Sequence, residues 1–228
     1  METLFEFMRL LHILAGFIAL IMFWIPLITQ NGSKLHRNSG WIFTFAMLGV
    51  AISAMTLAII RIAGWKESTS VQIEFAWFLM LIAWLSGSAA WHGLVVLQAK
   101  WWKQFPRRLN AITIFFASVL ALGGVGVMIY GWMGENSLLQ WFPVVAISLS
   151  VMQLNMLRKR TRTQLKVWRI GEHISGMVGC GIATITAFTV FAFPRLLGWE
   201  SAPLWMWLLP IVILNPVIFF AIRKHARP

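Results

Sequence analysis

The chain has 228 residues, of which 59% are hydrophobic and only 11% charged, with a mean hydropathy of +0.77; so few charges cannot clothe a water-facing surface. A length that seven spans of about 20 residues nearly fill leaves no room for a soluble catalytic domain, so any chemistry lies in a membrane or at its face. The net charge of +12 would suggest nucleic acid if the 19 basic residues clustered, but they are strung between apolar runs, so nucleic acid is excluded as a partner.

The first apolar run, 4–29, is too long for a signal peptide and is preceded by Glu2 and Glu6 where a basic segment would stand, so it reads as a mature helix. Glu2, Glu6, Arg9, His12 and Gly16 fall on one face of it. Glu6, Arg9 and His12 are therefore expected to form an outer polar network, either an interhelical hydrogen-bond seam or an entry path that responds to external pH. His12 lies roughly 25 Å from the inner boundary at ~1.5 Å per residue, which separates it from any inner site. Span two, 41–62, is preceded by His36 in the connecting loop.

Span three, 72–97, carries Trp77, Trp84 and Trp91 every seven residues, a stripe read as a lipid-facing or neighbour-facing surface. Near its end stand Ser88 and His92, one turn apart. Span four, 111–132, contains Gly123, Gly124 and Gly126, whose apolar flanks indicate close helix packing and not a nucleotide loop. Span five covers 139–157. Span six, 171–193, is preceded by basic residues; if its helix begins early, Arg162, Lys166, Arg169 and His173 share a face that Gly176 and Cys180 continue. Span seven, 203–222, holds Asn215-Pro216, read as a simple kink.

These elements predict an all-α fold: a polytopic integral membrane bundle of seven transmembrane helices, one domain over 1–228. Loops one, three and five with the C-terminal tail hold 15 of the 19 basic residues, among them Arg107, Arg108 and Arg169; the other side holds Arg9, Arg61, Lys66 and Arg195. The positive-inside rule then places the N-terminus outside and the C-terminus in the cytoplasm of a bacterial inner membrane.

Ionisable groups within spans are costly, so the histidines head the list of functional candidates. His36, His92 and His173 all approach the predicted cytoplasmic boundary from different helices. A single Cys180 excludes a disulfide framework and a thiolate-only metal centre. The absence of aspartate excludes an aspartyl phosphate, the lack of a lysine inside span seven excludes a retinal Schiff base, and no phosphate loop or nucleophile elbow occurs.

Leu11-His12 with Gly16, Leu35-His36-Arg37-Asn38-Ser39-Gly40, His92, and His173 followed by Thr186-Ala187-Phe188 make the chain similar to a family of uncharacterised bacterial inner-membrane proteins with H-x-x-x-G and L-H-R-x-x-G elements. That resemblance implies an integral-membrane fold and brings no established activity. The architecture also resembles, more loosely, b-type membrane cytochromes with histidines on several spans.

Three functions are compatible with these residues. A redox protein would hold a haem b between His92 and His173, with Arg169, Arg107 and Arg108 facing the propionates. A zinc-dependent membrane enzyme acting on a lipid or amphiphile would use His36, His92 and His173, with Glu172 or water completing the site. A non-catalytic carrier, small-molecule binder or subunit of a membrane complex would use the histidines for protonation or packing. The lipid bilayer is a partner in each, and a small-molecule or lipid ligand or partner membrane subunits follow in the last two.

Overall fold

The computed structural model describes residues 1–64, 68–100, 107–155, 162–199 and 202–225. Every regular element among them is helical: α1 (Glu2–Ile28), α2 (Lys34–Ile62), α3 (Ser70–Val95) with a 3₁₀ turn (Val96–Lys100), α4 (Arg107–Met133), α5 (Ser137–Trp141), α6 (Pro143–Leu154), α7 (Arg162–Leu197) and α8 (Leu204–His225). Seven stretches are long and apolar enough to cross a bilayer, α5 and α6 together making one of them. The protein is an all-α, seven-span membrane bundle, as its composition predicts.

Helix starts differ from the expected boundaries for a physical reason. Hydropathy marks where hydrocarbon begins, whereas capping marks where a helix begins, and polar residues continue a helix into the headgroup layer. Ser33 caps α2, its Oγ accepting the His36 N–H at 3.2 Å, so the helix starts at Lys34 and not at 41. His36 therefore lies in the first turn of α2 and not in a free loop. Likewise α7 starts at Arg162, nine residues before 171, and carries Arg162, Lys166 and Arg169 on a helix.

The chain packs as two compact units, Met1–Gly87 and Ser88–Pro228, whose boundary falls inside α3. In the first unit α1 and α2 form an antiparallel hairpin. Its register is fixed by Phe23 against Phe43, ring centroids 5.8 Å apart, and by Gly49, where an added Cβ would meet the Ala15 Cβ at 3.4 Å. Small residues at this crossing, Ala15 of α1 against Gly49 of α2, let the two backbones approach, which is how helices associate where lipid removes any hydrophobic drive. The turn between them uses Gly32 at φ +73, a conformation that a side chain would strain.

In the second unit α4 packs on α5 and α6, and α7 packs on α8 and on the 3₁₀ turn. Pro143 at the first position of α6 divides the fifth span, while Asn136 caps α5 by accepting from Leu138 N–H at 3.1 Å. The α4–α5 turn admits only glycine at 131, because a Cβ there would lie 2.6 Å from the Leu139 carbonyl carbon. Of the glycines assigned to close packing in α4, a Cβ on Gly124 would lie 3.1 Å from Ile147 Cγ1, whereas a Cβ on Gly126 would meet nothing within 4 Å.

Candidate functional site

The second unit contains an ionisable pairing inside its packed interior. His92 is 0% exposed near the C-terminal end of α3, and its Nε2 lies 2.8 Å from Glu172 Oε2 on α7. Glu172 is itself largely covered, its side chain 15% exposed. One residue along each helix a second bond runs between the same partners: His173 Nδ1 lies 2.7 Å from the Gly93 carbonyl oxygen. A carbonyl only accepts, so His173 Nδ1 carries its proton and donates it. The two bonds form a clasp, His92-Gly93 of α3 gripping Glu172-His173 of α7.

The clasp closes because both helices carry glycine at the crossing. A Cβ on Gly176 would lie 2.8 Å from Gly93 Cα and 2.9 Å from the Ala89 carbonyl oxygen, distances that no real side chain tolerates. Glu172 and His173, four and three residues before Gly176, diverge by ~100° on their helix and so straddle the contact. That divergence argues against Glu172 and His173 serving one metal ion, and it lets each reach a different residue of α3.

The Glu172 carboxylate accepts at its Oε2, so the His92 Nε2–H donates to it and the second nitrogen, Nδ1, remains as the open position of the ring. Nδ1 is buried and has no hydrogen-bond partner. Trp91 Nε1 and Arg169 Nε on these helices are likewise buried without a hydrogen-bond partner among the described residues. One turn before His92, Ser88 accepts from Gln153 Nε2 of α6 at 2.6 Å, both residues 0% and 1% exposed. Gln153 Oε1 has no partner either, so the polar row Gln153, Ser88, His92, Glu172 runs through the packed interior of the second unit with acceptor and donor capacity in reserve.

The remaining candidates fall elsewhere. His36 Nδ1 lies 3.2 Å from the Pro26 carbonyl oxygen and donates to it, satisfying one of the last carbonyls of α1 and pinning the α1–α2 turn. His12 Nδ1 is within reach of Ser53 Oγ at 3.1 Å and the Val50 carbonyl at 3.3 Å, while Ser53 itself donates to Gly49 O at 2.6 Å. His12 thus belongs to a seam between α1 and α2, and Glu6 and Arg9 pair with each other on a more exposed part of α1. Arg107 and Arg108 occupy the first turn of α4, and their side chains lie outside the described residues. Trp91 of the tryptophan stripe stacks on Phe116 of α4 at 6.0 Å and 11°, a neighbour-facing ring.

Among the described residues no three of His, Cys and Glu come together as a metal-holding group. His92, held through Nε2 by a carboxylate, has the orientation that a metal-ligating imidazole usually shows, but one such ligand does not make a metal centre. A haem liganded by both His92 and His173 needs a porphyrin and two iron–nitrogen bonds between α3 and α7. The backbone contact of Gly93 with Gly176 leaves no slot for it at that level, so the two histidines do not fit this group.

Sequence reasoning placed Glu172 with His92 only as a group completing a three-histidine zinc site, and missed both their direct pairing and Gln153. Glu172 is the only acidic residue between Glu135 and Glu200, at the edge of an apolar run, and that isolation was the available signal. No family model, no curated protein and no solved structure matches the chain.

Proposed function

We propose that this is a non-catalytic multi-pass protein of the bacterial inner membrane, a carrier or binder whose ligand traffic is linked to protonation of the His92–Glu172 pair. The observation behind this reading is a histidine with 0% exposure inside an apolar span, held by a carboxylate from another helix. Ionisable groups are kept inside a bilayer at a cost of several kcal/mol, and the commonest return on that cost is movement of a proton or an ion. A His–Glu pair can hold its proton on either partner, and each placement changes what His92 Nδ1 offers: a lone pair when the ring is neutral, an N–H donor when it is charged. On α7 the charged or titratable groups within a turn of Glu172, among the described residues, are His173 and Arg169.

The orientation that supports this reading has the N-terminus outside and the C-terminus in the cytoplasm, on the 15-to-4 division of basic residues. It would put the clasp near the cytoplasmic leaflet. Membership of the uncharacterised inner-membrane family is proposed with it, on the Leu35-His36-Arg37 element and the histidines of α3 and α7.

Trp91 and Trp168 pack against the Val95-Val96 pair beside His92, so indole emission reports on this region. Protein in lipid nanodiscs, titrated over roughly pH 8 to 5 where imidazoles change charge, is expected to change its tryptophan emission. His92→Phe and Glu172→Gln should each remove that response. A wild-type emission independent of pH, or a response that persists in both variants, would refute the reading.

A further inference from the structure

A buried donor without an acceptor implies a ligand that brings one, and two such donors stand at one end of α3 and α7. Arg169 Nε and Trp91 Nε1 are both buried and both lack a hydrogen-bond partner. Guanidinium and indole nitrogens can only donate, so the missing group must accept. Trp91 and Trp168, the residue before Arg169, both pack on Val95 and Val96, so the end of α3 and the start of α7 that carry the two donors meet at this level.

Charge narrows the ligand further. Arg169 forms no ion pair among the described residues, and the one carboxylate near it on α7, Glu172, is committed to His92. A partly covered guanidinium with no counter-ion calls for an anion. Arg169 also lies at the third position of the apolar stretch that begins at Val167, the end at which a helix crossing a bilayer would meet the headgroup layer. Phosphate is the anion present at that depth, and its oxygens can accept from several separately held donors.

The structure assigns Arg169, with Trp91, to a binding site for a phosphate oxyanion at the joint of α3 and α7. It is supplied either by an anionic phospholipid headgroup or by a free phosphate. The site stands on the unpartnered donors and is independent of how protons move at His92.

Purified protein would be presented with dioleoyl phosphatidylglycerol, with oleate or with inorganic phosphate, and the bound species counted by native mass spectrometry. Wild-type protein is expected to retain phosphatidylglycerol, and Arg169→Gln to lose at least about tenfold in apparent affinity. Arg223→Gln, whose guanidinium lies over the Phe219 ring on α8, serves as the control and should bind as wild type. Arg169→Lys keeps the charge and loses the Nε donor, so it should fall between the two, and it carries the test if Arg169→Gln does not fold. Displacement of the lipid by millimolar inorganic phosphate assigns the site to a free phosphate, and resistance to displacement assigns it to a headgroup. Equal lipid retention by the wild type and both Arg169 variants overturns the proposal, as does oleate binding as tightly as phosphatidylglycerol.

Discussion

Gly176 and Gly179 sit three residues apart on α7, and only one of them is structurally obliged to be glycine. A Cβ on Gly176 would overlap the backbone of α3, whereas a Cβ on Gly179 would meet nothing within 4 Å. Gly176→Ala should therefore force α3 and α7 apart and destabilise the protein by about 1–3 kcal/mol, the usual cost of overpacking. Gly179→Ala should be neutral or stabilising by up to ~1 kcal/mol through helix propensity. Thermal unfolding in detergent distinguishes them, and equal midpoints would show that the clasp is loose. His12 offers a second contrast at this scale. Its bonds to Ser53 and Val50 are interhelical, so His12→Ala should cost about 0.6–1.7 kcal/mol in the α1–α2 hairpin and leave the pH response of tryptophan emission unchanged.

At the scale of helices, the turn between α4 and α5 is the most sharply constrained link. A Cβ added to Gly131 would lie 2.6 Å from the Leu139 backbone, and the Gly131 carbonyl is tied in as well: Asn136 N–H donates to it at 3.0 Å and Gln140 Nε2 at 3.3 Å. Gly131→Ala should therefore cost more than Gly126→Ala, again about 1–3 kcal/mol, measurable as a lower unfolding temperature. The number and type of the helices were legible because bilayer thickness imposes an apolar run of fixed length, whatever the fold. Where α2 and α7 begin was not, since Ser33 and the basic residues from Arg162 onward act by capping and register, to which hydropathy is blind. The site was legible only in part. Periodicity placed His92 and His173 near the same level, but pairing His92 with Glu172 depends on which helices are neighbours, and a face assignment within one helix carries no such information.

At the scale of the molecule, the division of charge along the chain sets an expectation for insertion. A reporter active only in the cytoplasm should work when fused after α8, and one active only outside should work in the 134–136 segment between α4 and α5. The opposite pattern would invert the proposed orientation and place the clasp at the other leaflet.

The order in which the chain is made has its own consequence for the clasp. The α1–α2 hairpin joins residues close in sequence and can assemble as soon as it leaves the ribosome, but His92 and Glu172 are 80 residues apart. At ~5–20 residues per second, roughly 4–16 s separate their synthesis. Throughout that interval a nascent histidine stands at the end of α3 before its carboxylate exists, so the clasp can close only once α7 is made. Chains truncated after residue 155, which end before α7, should be recognised as unfinished and degraded, and a pulse-chase measurement should show them short-lived beside the full-length protein.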